Sequence, residues 1–215
     1  MASPVPRLPA LLIRGGLLAA MAAPVLIAAT SPYLAYRSLA YVIGGFAGIL
    51  CLSLLLIQPL LAAGYLPGLV CARSRRWHRR IGTAILACVA VHVGGLYLTS
   101  PPDTLDALLL VSPTPFSVYG VLAMWGIAAT ALLVALRRRL GLRYSTWFLV
   151  HNLLALVVVI ATVIHALQIE GAMEIRSKWA ICLAVLAATA VVLLDLRVIR
   201  PLLRRRGTAA GPGPD

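Results

Sequence analysis

Histidine is the residue type whose number and spacing most clearly indicate chemistry in this chain. The four histidines stand at positions 78, 92, 151 and 165, so the first two and the last two form pairs that are each separated by 14 residues. At about 100° per residue, 14 residues complete nearly four turns, and each pair therefore lies on one helix face. Its members are about 21 Å apart along the axis, too far to share a metal ion. Each imidazole needs a partner on another helix.

Paired imidazoles on two helices that run in the same direction predict heme ligation. His78 should then face His151 near the cytoplasmic side, and His92 should face His165 toward the outer side. A flat, largely apolar macrocycle fits between such helices, and its iron takes one imidazole from each side. We therefore expect two hemes of the b type with both axial positions occupied, an arrangement suited to electron transfer.

Cations near the cytoplasmic histidines could bind the anionic propionates of a heme. Arg80 follows His78 closely and Arg143 precedes His151, so both are candidates, although either could serve only as a topology signal. Trp147 occupies the same level and is expected to be an interface anchor.

The elements that must carry these histidines are membrane-spanning helices. Hydrophobic residues make up 61% of the 215 residues and charged residues only 12%, which is unlike a soluble domain. About 20 apolar residues cross a hydrocarbon core, and the chain contains six such runs. The predicted class is an all-α membrane protein, a bundle of six transmembrane helices within residues 1–206. The expected spans are 11–31, 39–66, 80–100, 116–136, 147–169 and 178–198.

The ends of the chain call for separate interpretations. Residues 207–215 include a short alternation of Gly and Pro and are expected to form a disordered tail. The first span could instead be a signal peptide, with Arg7 and Arg14 before its apolar stretch.

The basic residues responsible for the formal charge of +13 are distributed unevenly between the two sides of the predicted bundle, which is a topology signal. Of the 19 basic residues, only Arg37, Arg176 and Lys178 fall on loops of one side of the predicted bundle. By the positive-inside rule both termini are then cytoplasmic, and nucleic-acid binding is disfavoured. The predicted location is the cell membrane. Abundant arginine, alanine and glycine suggest a bacterial inner membrane. The four scattered cysteines indicate neither a zinc site nor a disulfide framework.

Two segments resemble the ferric reductase-like transmembrane domain shared by ferric reductases, NADPH oxidases and related bacterial proteins. The first runs from Trp77-His78-Arg79-Arg80-Ile81-Gly82 to His92, and the second from Leu140-Gly141-Leu142-Arg143 through His151-Asn152 to His165. The resemblance implies that the four histidines are axial ligands of two hemes. Relatives usually carry an FAD and NAD(P)H domain after the sixth helix, whereas this sequence contains no GxGxxG fingerprint. We therefore expect electrons to come from a separate cytoplasmic reductase or a small donor.

Two alternatives to this cytochrome stay open at this point. The chain also resembles the single-heme membrane subunit of bacterial methionine sulfoxide reductase systems, which lacks a histidine at the position of His78. A non-redox transporter or assembly protein could instead use the histidines as a proton relay, although such transporters usually carry acidic residues within their spans.

Overall fold

The computed structural model describes residues 7–203, and within this range the secondary structure is entirely helical. The predicted tail at 207–215 lies outside the described residues. Seven α-helices follow one another within these described residues. They are α1 (Arg7–Ala29), α2 (Leu39–Ala63), α3 (Cys71–Thr99), α4 (Pro101–Leu108), α5 (Pro115–Leu136), α6 (Tyr144–Gln168) and α7 (Ile175–Leu194).

Six of these helices, all except α4, are long and apolar enough to cross a membrane. The predicted six-helix class is thereby confirmed within residues 7–203, with α6 as the fifth span and α7 as the sixth. A π-helical segment, Asp195–Ile199, extends α7. Large apolar side chains are exposed along the helices, as expected for surfaces that face lipid. The chain is a multi-pass membrane protein.

The helices extend beyond the apolar runs from which the spans were predicted. Helix α3 begins at Cys71, well before residue 80, because turns that carry arginine continue the helix past its apolar part. The short helix α4 was not predicted. It begins with two prolines, a residue type that suits the first turn of a helix.

The helices alternate in direction, which gives the bundle two distinct ends. At one end α2 finishes and α3 begins, and there the Tyr65 hydroxyl donates a hydrogen bond to Asp195 at the end of α7. We call this the arginine-rich end, since most arginines of the sequence fall there. At the opposite end, the far end, Ser38 before α2 lies 3.5 Å from Thr99 in α3, between their hydroxyl oxygens.

Packing is closest within two helix pairs, α2 with α3 and α5 with α6. Glycines permit this approach: a Cβ on Gly95 of α3 would lie 2.6 Å from the Ala40 carbonyl oxygen of α2. The backbones of α3 and α6 scarcely approach each other. The space between the backbones of α3 and α6, which we call the gap, therefore contains side chains, and the histidines are among them.

Candidate functional site

The four histidines meet as two facing pairs across the gap between α3 and α6. The ring centres of His78 and His151 are 6.2 Å apart, with an angle of 70° between the ring planes. The ring centres of His92 and His165 are 6.3 Å apart, with an angle of 81°. We call these the arginine-end pair and the far-end pair.

Both imidazoles of the far-end pair are fixed by backbone carbonyls of neighbouring helices. The Nδ1 of His92 donates to the Gly44 carbonyl of α2, and the Nδ1 of His165 donates to the Phe116 carbonyl of α5, each over 2.8 Å. A carbonyl oxygen only accepts, so Nδ1 must carry the proton in both rings. The other nitrogen, Nε2, keeps its lone pair for a metal.

Two glycines make room for these rings, and sequence reasoning missed both of them. A Cβ on Gly48 would lie 2.9 Å from the Nδ1 of His92, and a Cβ on Gly120 would lie 2.7 Å from the Cε1 of His165. Each glycine stands four residues after the carbonyl that accepts from the same histidine, one helical turn further along. Any side chain at these positions would displace the imidazole.

The arginine-end pair is fixed at only one of its two rings. The Nδ1 of His78 lies 3.1 Å from the Gln58 carbonyl oxygen of α2 and donates to it. The Nδ1 of His151 is buried without a hydrogen-bond partner in the described part of the chain.

Trp147 holds His151 by stacking instead of hydrogen bonding. The two ring centres are 5.3 Å apart and the planes differ by 14°. The Arg137 guanidinium lies over the Trp147 ring, 4.3 Å from its centre. The indole Nε1 of Trp147 is also buried without a partner among residues 7–203. Trp147, expected as an interface anchor, is therefore a direct neighbour of a candidate ligand.

The two pairs have the dimensions of a metal held by two imidazoles. Rings that bind one metal through nitrogens at about 2 Å have their centres about 6 Å apart, close to both observed separations. Within residues 7–203 no group of three or more His, Cys, Asp or Glu side chains could hold a metal ion. Two imidazoles are too few for an ordinary zinc site, whereas heme supplies four nitrogens of its own. The residues therefore fit heme.

The two candidate arginines lie at the surface of the arginine-rich end. The Arg80 guanidinium is exposed and lies over the Trp77 ring, 5.4 Å from its centre. Arg143 is exposed at the residue before α6. Neither guanidinium forms a hydrogen bond or ion pair with another described residue, so both are available to an anion.

These features define a helical membrane protein whose bundle holds two facing imidazole pairs. The family model described as "Ferric reductase like transmembrane component" matches residues 44–162, more than half of the chain. The chain belongs to this family, which confirms the resemblance seen in the sequence and makes it a component of transmembrane electron transfer. The match includes His78, His92 and His151 and ends before His165. No curated protein and no solved structure matches the chain.

Proposed function

We propose that this protein is a transmembrane b-type cytochrome that passes electrons from a cytoplasmic donor to an acceptor on the outer side. The proposal rests on the imidazole separations of 6.2 Å and 6.3 Å at two levels of one bundle. His78 and His151 would hold one heme, and His92 and His165 a second. Bound heme would supply a reversible one-electron couple, and two histidine ligands would leave its iron no site for a substrate.

The chain's own residues orient the ligands and exclude water. Backbone carbonyls of Gly44, Gln58 and Phe116 each accept from an imidazole Nδ1 and leave Nε2 free to bind a metal. Apolar side chains of the spans, Leu52 and Ile85 among them, form the buried core of the bundle. A dry, rigid surrounding favours electron transfer, since little rearranges when the charge changes.

The direction of transfer follows from the proposed orientation. Arginines of the sequence concentrate at one end of the bundle, and the positive-inside rule puts that end in the cytoplasm, together with both termini. Electrons would enter there from a separate reductase or a small donor. Arg80 and Arg143 are exposed at this end and would bind propionates of the first heme.

A reduced-minus-oxidised spectrum of the purified full chain tests the proposal, with heme counted by pyridine hemochrome. We expect b-type Soret and alpha bands and about two hemes per chain. Absence of these bands after heme-replete expression would refute the cytochrome.

A single-heme protein is the second candidate, because one observation favours it. His151 lacks the Nδ1 hydrogen bond that the other three histidines make, so the arginine-end pair is the less constrained of the two. In that case we expect about one heme per chain, lost in His165→Ala and kept in His151→Ala. Two hemes per chain would exclude it.

A further inference from the structure

Lys178 is a buried cation near the far-end pair. It is the only lysine of the sequence, and only 5% of its surface is exposed. Arg176, two residues earlier on the same helix, is exposed. Long cationic side chains normally extend their charge to water, and a buried charge is costly unless an anion compensates it. The burial of Lys178 therefore calls for a partner.

Lys178 lies at nearly the same level of the bundle as the far-end pair. It shares one face of α7 with Cys182 and Val185, both fully buried, so its side chain lies on the core side of the helix. Its Nζ donates a hydrogen bond to the carbonyl of Ile169, the residue that follows the end of α6. Ile169 follows His165 by one turn, about 6 Å along the axis. The ammonium thus lies one turn outward from a candidate ligand.

No carboxylate compensates this ammonium in the described part of the chain. The single ion pair among residues 7–203 joins Arg200 to Asp195 at the arginine-rich end. Glu174 is exposed, and its carboxylate accepts from the backbone N–H of Ser177 at the start of α7. One carbonyl oxygen satisfies one of three N–H donors and leaves the positive charge unpaired.

We propose that Lys178 is the counter-cation for a propionate carboxylate of the heme held by His92 and His165. This inference rests on the proposed function, since it requires a heme at the far end. A carboxylate attached to the macrocycle is favoured over a lipid headgroup because Lys178 is on the core face of α7. Arg37 and Arg176, the other basic residues assigned to this side, are exposed. The family match ends at residue 162 and does not include Lys178.

The test is a spectroelectrochemical titration of the purified, heme-loaded full chain. In Lys178→Met we expect one heme to shift to a lower midpoint potential, because a nearby cation favours the reduced heme, which carries one more negative charge. The second heme should keep its potential. Lys178→Arg should restore the wild-type value, and Arg176→Met, an exposed cation on the same helix, should leave both hemes unchanged.

Three results would overturn the proposal, each in a different way. Unchanged potentials in Lys178→Met with lower thermal stability would show that Lys178 only caps α6. A higher midpoint potential of the same heme in Glu170→Gln, from removal of a carboxylate that compensates Lys178, would identify that exposed glutamate as the partner. A wild-type chain without heme would refute the cytochrome itself, and the inference with it. If Lys178→Met does not accumulate, Lys178→Gln serves for the same titration.

Discussion

The far-end pair and the arginine-end pair have almost the same ring separation but are held in different ways. At the far end, helix backbone fixes both rings, through carbonyls 2.8 Å from each Nδ1 and through glycines behind the imidazoles. At the arginine-rich end, one ring is fixed by a carbonyl and His151 stacks on Trp147, itself a side chain with an unpartnered N–H. Helix backbone is more rigid than a side chain, so we expect heme binding at the far end to be more sensitive to substitutions around the ligands.

The largest expected effect is the loss of a whole heme when a ligand is removed. His165→Ala should lower the heme content from about two per chain to about one, and His151→Ala should do the same at the other level. Pyridine hemochrome and the redox titration count and identify what remains. If either single substitution removes both hemes, the two pairs do not form independent sites.

The next effect concerns the glycines behind the far-end rings. In Gly120→Ala the added Cβ would lie 2.7 Å from His165, so the ring must move, at a cost of about 1–3 kcal/mol in binding of the far-end heme. Heme transfer to apomyoglobin measures the weakening. Gly45→Ala is the matched control, because a Cβ there meets nothing within 4 Å. Equal heme retention in the two variants would contradict the assigned role of Gly120.

A smaller effect is expected at Trp147. Trp147→Ala removes the ring stacked on His151 and should weaken only the arginine-end heme, by about 0.5–1.5 kcal/mol. Trp147→Phe keeps a stacked ring and removes the unpartnered N–H, so it should bind heme as wild type does. Transfer of the arginine-end heme to apomyoglobin, measured for both variants, distinguishes the two substitutions. Weaker binding of the far-end heme in Trp147→Ala would show that the substitution acts beyond the arginine-end pair and would contradict this prediction.

The smallest effect involves Glu174 at the start of α7. Hydrogen bonds from the backbone N–H groups of Arg176 and Ser177 hold the pKa of its carboxyl below the ordinary 4.5. A depressed folded pKa stabilises the protein above the unfolded pKa, and this stabilisation is lost as pH falls through the folded value. Glu174→Gln should therefore lower the melting temperature slightly at pH 7, and the difference should vanish in acid. Thermal unfolding in detergent at both pH values, with unchanged heme content, checks this.

The sequence was sufficient to predict six membrane-spanning helices and to predict which histidines face each other. Apolar length and a repeated spacing of 14 residues carry that information directly, since both follow from helix geometry. Orientation of the bundle rests on arginine distribution alone and stays a prediction. The identity of the four histidines as heme ligands also stays a prediction.

What the sequence could not reveal are the groups that hold the ligands. The acceptors for Nδ1 are backbone carbonyls, which every residue has, so nothing distinguishes Gly44 or Phe116 in the sequence. Gly48 and Gly120 lie on helices other than those of their histidines, and glycine is common in transmembrane helices. Lys178 was counted as one of three basic residues on a loop side, because its burial depends on how α6 and α7 pack.

The carbonyls that fix the far-end rings have an electrical consequence. Each Nδ1 donates to a backbone carbonyl, which has no proton that it could pass on. These two imidazoles therefore cannot relay a proton through Nδ1 while an electron is transferred. Each electron that crossed would then move net charge through the bilayer. In the proposed orientation, with the cytoplasm negative by about 100 mV, outward passage of an electron would gain about 2.3 kcal/mol, and the membrane voltage would help drive the proposed transfer.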